Sequence, residues 1–135
     1  MYSKYSKDYE WVEASFSELK CETITSITGK VGDELMTFKC ESGKEARLIY
    51  HNDCCAIASI EDICGDLQDL VNVPLLQAEE VSSKDNPEGV KIPEYQDSFT
   101  WTFYKLATIH GSVTIRWYGA SNGYYSEQAT FEWKK

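Results

Sequence analysis

The residues with the most chemical capacity lie together in His51-Asn52-Asp53-Cys54-Cys55. Imidazole, carboxylate and thiolate are all zinc ligands. A thiolate beside an imidazole is also a nucleophile when a third group orients the ring. The spacing is neither a CxxC nor an HxxxH knuckle, and no second ligand pair follows at ribbon distance. Cys64 and His110 reach this segment only through the fold. His51, Asp53, Cys54 and Cys55 are thus the candidates for a metal or thiol centre. The competing reading is a set of small buried cysteines with a hydrogen-bonded His51.

A second group sits near the C-terminus. Tyr104, Arg116 and Tyr118 are joined by Asn122, Tyr124 and Tyr125 from the loop that follows. Such rings stack on planar groups, and a guanidinium forks a carboxylate or phosphate. The same residue types are enriched in protein interfaces. These six are the expected ligand- or partner-binding residues, against the alternative of a solvated sheet face. Glu61, Asp62, Asp66 and Asp69 lack the fixed spacing of a calcium loop and read as a charged face. There is no nucleophile elbow, P-loop, dinucleotide fingerprint or HExxH.

One hairpin must position the second group. Phe99, Trp101 and Phe103 alternate with Thr100, Thr102 and Tyr104; Val113, Ile115 and Trp117 alternate with Thr114, Arg116 and Tyr118. A two-residue His110-Gly111 turn sets Phe103 on the face of Arg116 and Tyr118, against the apolar pattern. A three-residue Ile109-His110-Gly111 loop pairs Thr108 with Ser112 and turns all the bulky rings one way. The pattern selects the three-residue loop, leaving Thr100, Thr102, Tyr104, Arg116 and Tyr118 on the free side. Lys105 then falls awkwardly on the apolar face.

The remaining elements follow from period-2 alternation and turn residues. Strands are expected over about 22–28, 34–40 and 45–50, joined by short turns into a meander. Ser15 and Glu18 mark a capped helical turn. Over 54–71, two readings compete. One is a single helix with Gly65 inside it; the preferred one is a strand, then Gly65 as punctuation and Asp66 as the cap of a short helix. A strand at 75–81, a polar loop over 82–96 and a closing strand at 127–133 complete the chain. The fold class is α+β, mainly β: a largely antiparallel sheet of six to eight strands with one short helix. Residues 1–14 read as an N-terminal extension and 15–135 as a single globular domain.

Composition narrows the function. The 135 residues contain 13 Lys plus Arg and 22 Asp plus Glu, a formal charge of −9. With no cluster of basic residues, non-specific nucleic-acid binding is not expected. No apolar run has the length of a membrane span, and the N-terminus carries no secretory h-region. Five cysteines, an odd number, fit a reducing cytoplasm.

Several separated motifs together resemble a known group. They are Tyr50-His51-Asn52-Asp53-Cys54-Cys55, the run from Ile60 through Gly65 to Leu67, Ala78-Glu79-Glu80, Trp101-Thr102-Phe103-Tyr104-Lys105, and the stretch from Arg116-Trp117-Tyr118 through Tyr124-Tyr125-Ser126. Over about 19–130 the chain resembles an uncharacterised small domain of bacteriophage and bacterial genomes. It departs from the pattern at Ala56, where an acidic residue often follows the cysteine pair, and in the residues before Ser15. The resemblance carries no activity or cofactor. It implies a phage-encoded accessory protein in the cytoplasm of the host bacterial cell. The expected function is a non-enzymatic binding module that blocks a host protein or sequesters a small host molecule, without cofactor or membrane, with a homo-oligomer open. The alternative is an enzyme centred on His51, Asp53, Cys54 and Cys55.

Overall fold

Short runs of β-branched and aromatic residues, separated by glycine turns, become nine strands among the described residues of the computed structural model, which are 10–51, 56–83, 98–121 and 127–135. They are β1 (Trp11–Glu13), β2 (Ile24–Thr28), β3 (Leu35–Cys40), β4 (Glu45–Ile49), β5 (Ala56–Cys64), β6 (Gln77–Ser83), β7 (Ser98–Thr108), β8 (Gly111–Ser121) and β9 (Thr130–Lys134). Pairing is antiparallel throughout. The mainly β, antiparallel architecture agrees with the sequence reading. The strands divide, however, between a five-stranded sheet, β1-β9-β4-β3-β2, and a four-stranded sheet, β5-β8-β7-β6. The expected helix is replaced by two one-turn 3-10 segments, Phe16–Leu19 and Leu67–Leu70. Two sheets facing each other bury an apolar face from each, which a single open sheet of nine strands cannot do without a helical cover.

The core lies between the sheets. Met36, Phe38, Leu48 and Phe131 enter from one side, and Tyr104, Leu106, Ile115 and Trp117 from the other. Burying each large aliphatic side chain is worth about 1.5–3 kcal/mol. Phe16, on the first 3-10 turn, wedges between the layers. Its ring centroid is 4.9 Å from Tyr104, 5.6 Å from Phe131 and 6.4 Å from Phe38, all edge-on. The Glu18 carboxylate accepts the Ser15 N–H at 3.4 Å, as the capping pattern anticipates.

The β2–β3–β4 meander is present. Its first turn also ties the two sheets, since Gly32 N–H donates to the Ile60 carbonyl at 2.8 Å and Ile60 N–H to that of Asp33 at 2.9 Å. Gly65 ends β5, as the preferred reading holds: a Cβ there would lie 2.6 Å from the Ser112 carbonyl oxygen, with φ at +116°. The Asp66 carboxylate then caps the second 3-10 turn by accepting the Gln68 N–H at 2.9 Å. Within the expected N-terminal extension, β1 adds itself to the sheet beside β9. No helix among the described residues is long and apolar enough to cross a membrane.

Candidate functional site

The β7–β8 hairpin closes on neither loop drawn from the sequence. Thr108 pairs with Gly111, so the turn is the two residues Ile109 and His110. Trp101 then faces Tyr118, Phe103 faces Arg116, and Tyr104 faces Ile115. This inverts β7 relative to expectation and leaves β8 as expected. Val113, Ile115 and Trp117 point into the core, and Arg116 and Tyr118 point out. Phe99, Trp101 and Phe103 join them outside, while Thr100, Thr102, Tyr104 and Leu106 turn inward. Tyr104 is therefore not a surface contact residue: it is fully buried against Phe16.

Inward polar groups explain the choice. Thr108 Oγ1 donates to the Asp69 carbonyl at 2.5 Å and accepts the His110 N–H at 3.1 Å. Thr100 Oγ1 donates to the buried Glu127 carboxylate at 2.7 Å, and Ser121 Oγ donates to its other oxygen at 2.6 Å. Beside them the chain crosses so closely that a Cβ on Gly119 would lie 1.8 Å from the Glu127 carbonyl oxygen. Each inward threonine or serine so placed satisfies a group whose unmet burial costs about 1–3 kcal/mol. Lys105 now faces outward and is exposed, and its awkward placement disappears.

The outer face of the four-stranded sheet is aromatic. The Tyr118 ring lies 4.7 Å from Trp101 and 6.3 Å from Phe99, stacked on the latter. Trp101 is 1% exposed although it points away from the inter-sheet core. Arg116 stacks its guanidinium 5.2 Å from the Trp101 ring centroid. The β5 ladder carries a bulge between Ile60 and Asp62. A bulge re-aims a side chain, and here it brings both Glu61 and Asp62 to Arg116. Arg116 Nε donates to Glu61 Oε1 at 2.7 Å; Nη2 lies 2.5 Å from the same oxygen and 4.0 Å from Asp62 Oδ2. The guanidinium is thus already engaged, and no free fork waits for a phosphate. Three of the expected contact residues, Asn122, Tyr124 and Tyr125, lie outside the described residues.

Of the proposed metal or thiol centre, Asp53, Cys54 and Cys55 also lie outside the described residues. His51 is described: its Nε2 is 2.8 Å from Glu132 Oε2, and the other oxygen of that carboxylate accepts Arg47 Nε at 2.8 Å. Arg47 in turn stacks 4.1 Å from the Trp11 ring. This Arg–Glu–His group was missed in the sequence. Its one signal was Arg47 set between Ala46 and Leu48 in an apolar strand. Among the described residues, no group of three or more His, Cys, Asp or Glu is arranged to hold a metal. Cys21 and Cys64 are exposed, and burial, with the Glu22 charge, pushes the Cys40 thiol up to about 11. The remaining acids of the expected charged face have separate tasks: Asp66 caps a turn and Asp69 closes on Thr108 and Gly111.

Two features mark the class of protein: an antiparallel β-sandwich and a ring-lined outer face bearing an internally neutralised arginine. Residues 17–131 match the family described as Domain of unknown function (DUF7448), and the chain belongs to that family. No curated protein and no solved structure matches it.

Proposed function

We propose that this chain is a non-enzymatic binding module, a phage-encoded accessory protein of counter-defence type. It acts in the cytoplasm of the host cell by blocking a host protein through the outer face of β7 and β8. The observation that supports this is the company of Arg116. Phe99, Phe103 and Tyr118, each partly exposed, surround it and the enclosed Trp101, while Glu61 neutralises its charge. Flat rings around an internally balanced ion pair suit a protein surface better than a small anion, which would have to compete with Glu61 for the guanidinium. A small host molecule as cargo is accordingly the lesser form of the proposal. The net charge of −9 adds a preference for a basic partner surface.

The test is site-specific photocrosslinking in host cells. A benzophenone amino acid in place of Phe103 is expected to trap one host protein, and the same group in place of Val31, on the β2–β3 turn, is not. Tyr118→Ala is expected to abolish the product. Equal crosslinking from both positions, or none from Phe103, overturns the proposal.

A second reading keeps an enzyme centred on His51, Asp53, Cys54 and Cys55, because Glu132 holds His51 as a carboxylate orients a catalytic imidazole. Stoichiometric zinc, or a thiol alkylated far faster than free cysteine, would favour it. Metal-free protein with ordinary thiol rates removes it.

A further inference from the structure

A single row of directly opposed residues crosses the outer face of the four-stranded sheet. Asp62 on β5 stands across from Arg116 on β8, Arg116 from Phe103 on β7, and Phe103 from Val81 on β6. Neighbouring strands lie about 4.8 Å apart, so the row runs about 14 Å from a carboxylate to an aliphatic group. Its chemistry changes along that length. At one end Glu61 takes both Nε and Nη2 of Arg116, and the Asp62 carboxylate stands off at 4.0 Å from the guanidinium, its one ion-pair contact among the described residues. The Asp62 side chain is 53% exposed. At the other end Val81 is 43% exposed, beside the partly exposed Phe103. In the next row Lys105 faces Glu79, opposite charges directly across from each other. Arg116 and Lys105 thus have Glu61 and Glu79 as counterparts, and Asp62 is the charge left over.

We propose that this row determines the specificity of the outer face: the partner protein meets it with an arginine against Asp62 and an apolar side chain about 10–14 Å away, over Phe103 and Val81. The inference rests on the reading of this face as a protein-binding surface, and it names what the partner must present. Arginine fits better than lysine, because its planar fork matches a carboxylate with two parallel hydrogen bonds, and arginine is enriched in interfaces where lysine is depleted. Asp62 gives up its distant contact with Arg116 at little cost, since Glu61 continues to balance that guanidinium. The overall charge of −9 draws basic surfaces toward the chain, and the row decides which of them fits.

Two capped pentapeptides with that spacing test this by titration into the isotope-labelled full chain: acetyl-Arg-Thr-Ser-Leu-Leu-amide, and the same sequence with citrulline, the neutral isostere, for arginine. The arginine peptide is expected to shift the amide signals of Asp62, Phe103 and Val81, with an affinity at least about threefold above that of the citrulline peptide. Asp62→Asn is expected to erase that preference. Glu41→Gln, which removes the same charge from an exposed site on the β3–β4 turn of the other sheet, is expected to leave it unchanged. Equal affinity for the two peptides, shifts that map elsewhere, an equal effect of the two variants, or no saturable shift by about 20 mM overturns the proposal. The titration is separate from the crosslinking in host cells: a Phe103 crosslink that forms equally well in Asp62→Asn overturns the arginine contact alone, whereas loss of the Phe103 crosslink from the parent chain overturns the reading of the face.

Discussion

Arg47 and Arg116 occupy matching places in the two sheets. Each projects outward from an interior strand, each meets a glutamate from the neighbouring strand, and each stacks on an indole. Their surroundings differ. The Arg47 side chain is 8% exposed and that of Glu132 11%, whereas Arg116 is 22% exposed and Glu61 38%. Among the described residues, Arg47 Nη2 is also buried without a hydrogen-bond partner. The same residue pairing is therefore a buried ionic group in one sheet and a half-wet surface pair in the other. Removing one partner of a buried pair strands a charge; removing one partner of a wet pair hands the charge to solvent.

That difference has a measurable size. Glu132→Ala is expected to cost about 3–5 kcal/mol in urea unfolding, while Glu61→Ala costs about 0–1 kcal/mol. Comparable losses at the two sites would end the distinction between them. The indoles are expected to rank the other way. Trp101, 1% exposed, should lose about 3–5 kcal/mol on truncation to alanine, and the half-buried Trp11 clearly less.

Smaller effects sharpen the account of β7. Tyr104→Phe removes a buried hydroxyl that has no partner among the described residues, so stability should hold or rise by up to about 1 kcal/mol. A loss beyond about 2 kcal/mol would mean that the hydroxyl is bonded after all. Glu80→Gln tests one carboxyl on β6 by pH. The folded-state pKa of Glu80 is raised, so the folded state holds its proton longer than the unfolded chain does. Its ionisation penalty is absent below the ordinary value of 4.5 and grows as pH rises through the raised one. The variant should therefore be more stable than the parent at neutral pH and no more stable at acid pH. Equal differences at both would remove the penalty from Glu80.

The smallest perturbation compares thiols. At pH 8, iodoacetamide should modify Cys21 and Cys64 well before Cys40, whose pKa of about 11 leaves little thiolate. Peptide mass spectrometry reads the order directly, and early labelling of Cys40 would contradict its burial.

Much of the fold was legible. β8 could be read because only one of its faces is apolar: Val113, Ile115 and Trp117 against Thr114, Arg116 and Tyr118. Gly65 and Asp66 carried their own punctuation, one by conformation and one by its side-chain cap. β7 could not be read by the same rule. Phe99, Trp101 and Phe103 fill one face, and Tyr104 and Leu106 fill the other, so alternation leaves the two registers close in merit. The outer face of β7 and β8 was half legible for that reason. Arg116 and Tyr118 were placed on it, Tyr104 was placed there wrongly, and Trp101 was sent to the core. Asp69, Glu127 and Phe16 decided the matter, through contacts that no local pattern contains.

From the amino-acid order alone came the antiparallel, mainly β character, the meander, the capped turns and the acidity, because propensity, period and charge are properties of neighbouring residues. The tertiary structure decided the division into two sheets, the hairpin register and the partner of each arginine. Arg47 and Glu132 are 85 residues apart, and Arg116 and Glu61 are 55 apart. Pairings over such distances depend on which strands come to lie side by side, and a one-residue shift in that assembly reverses every side chain on the strand.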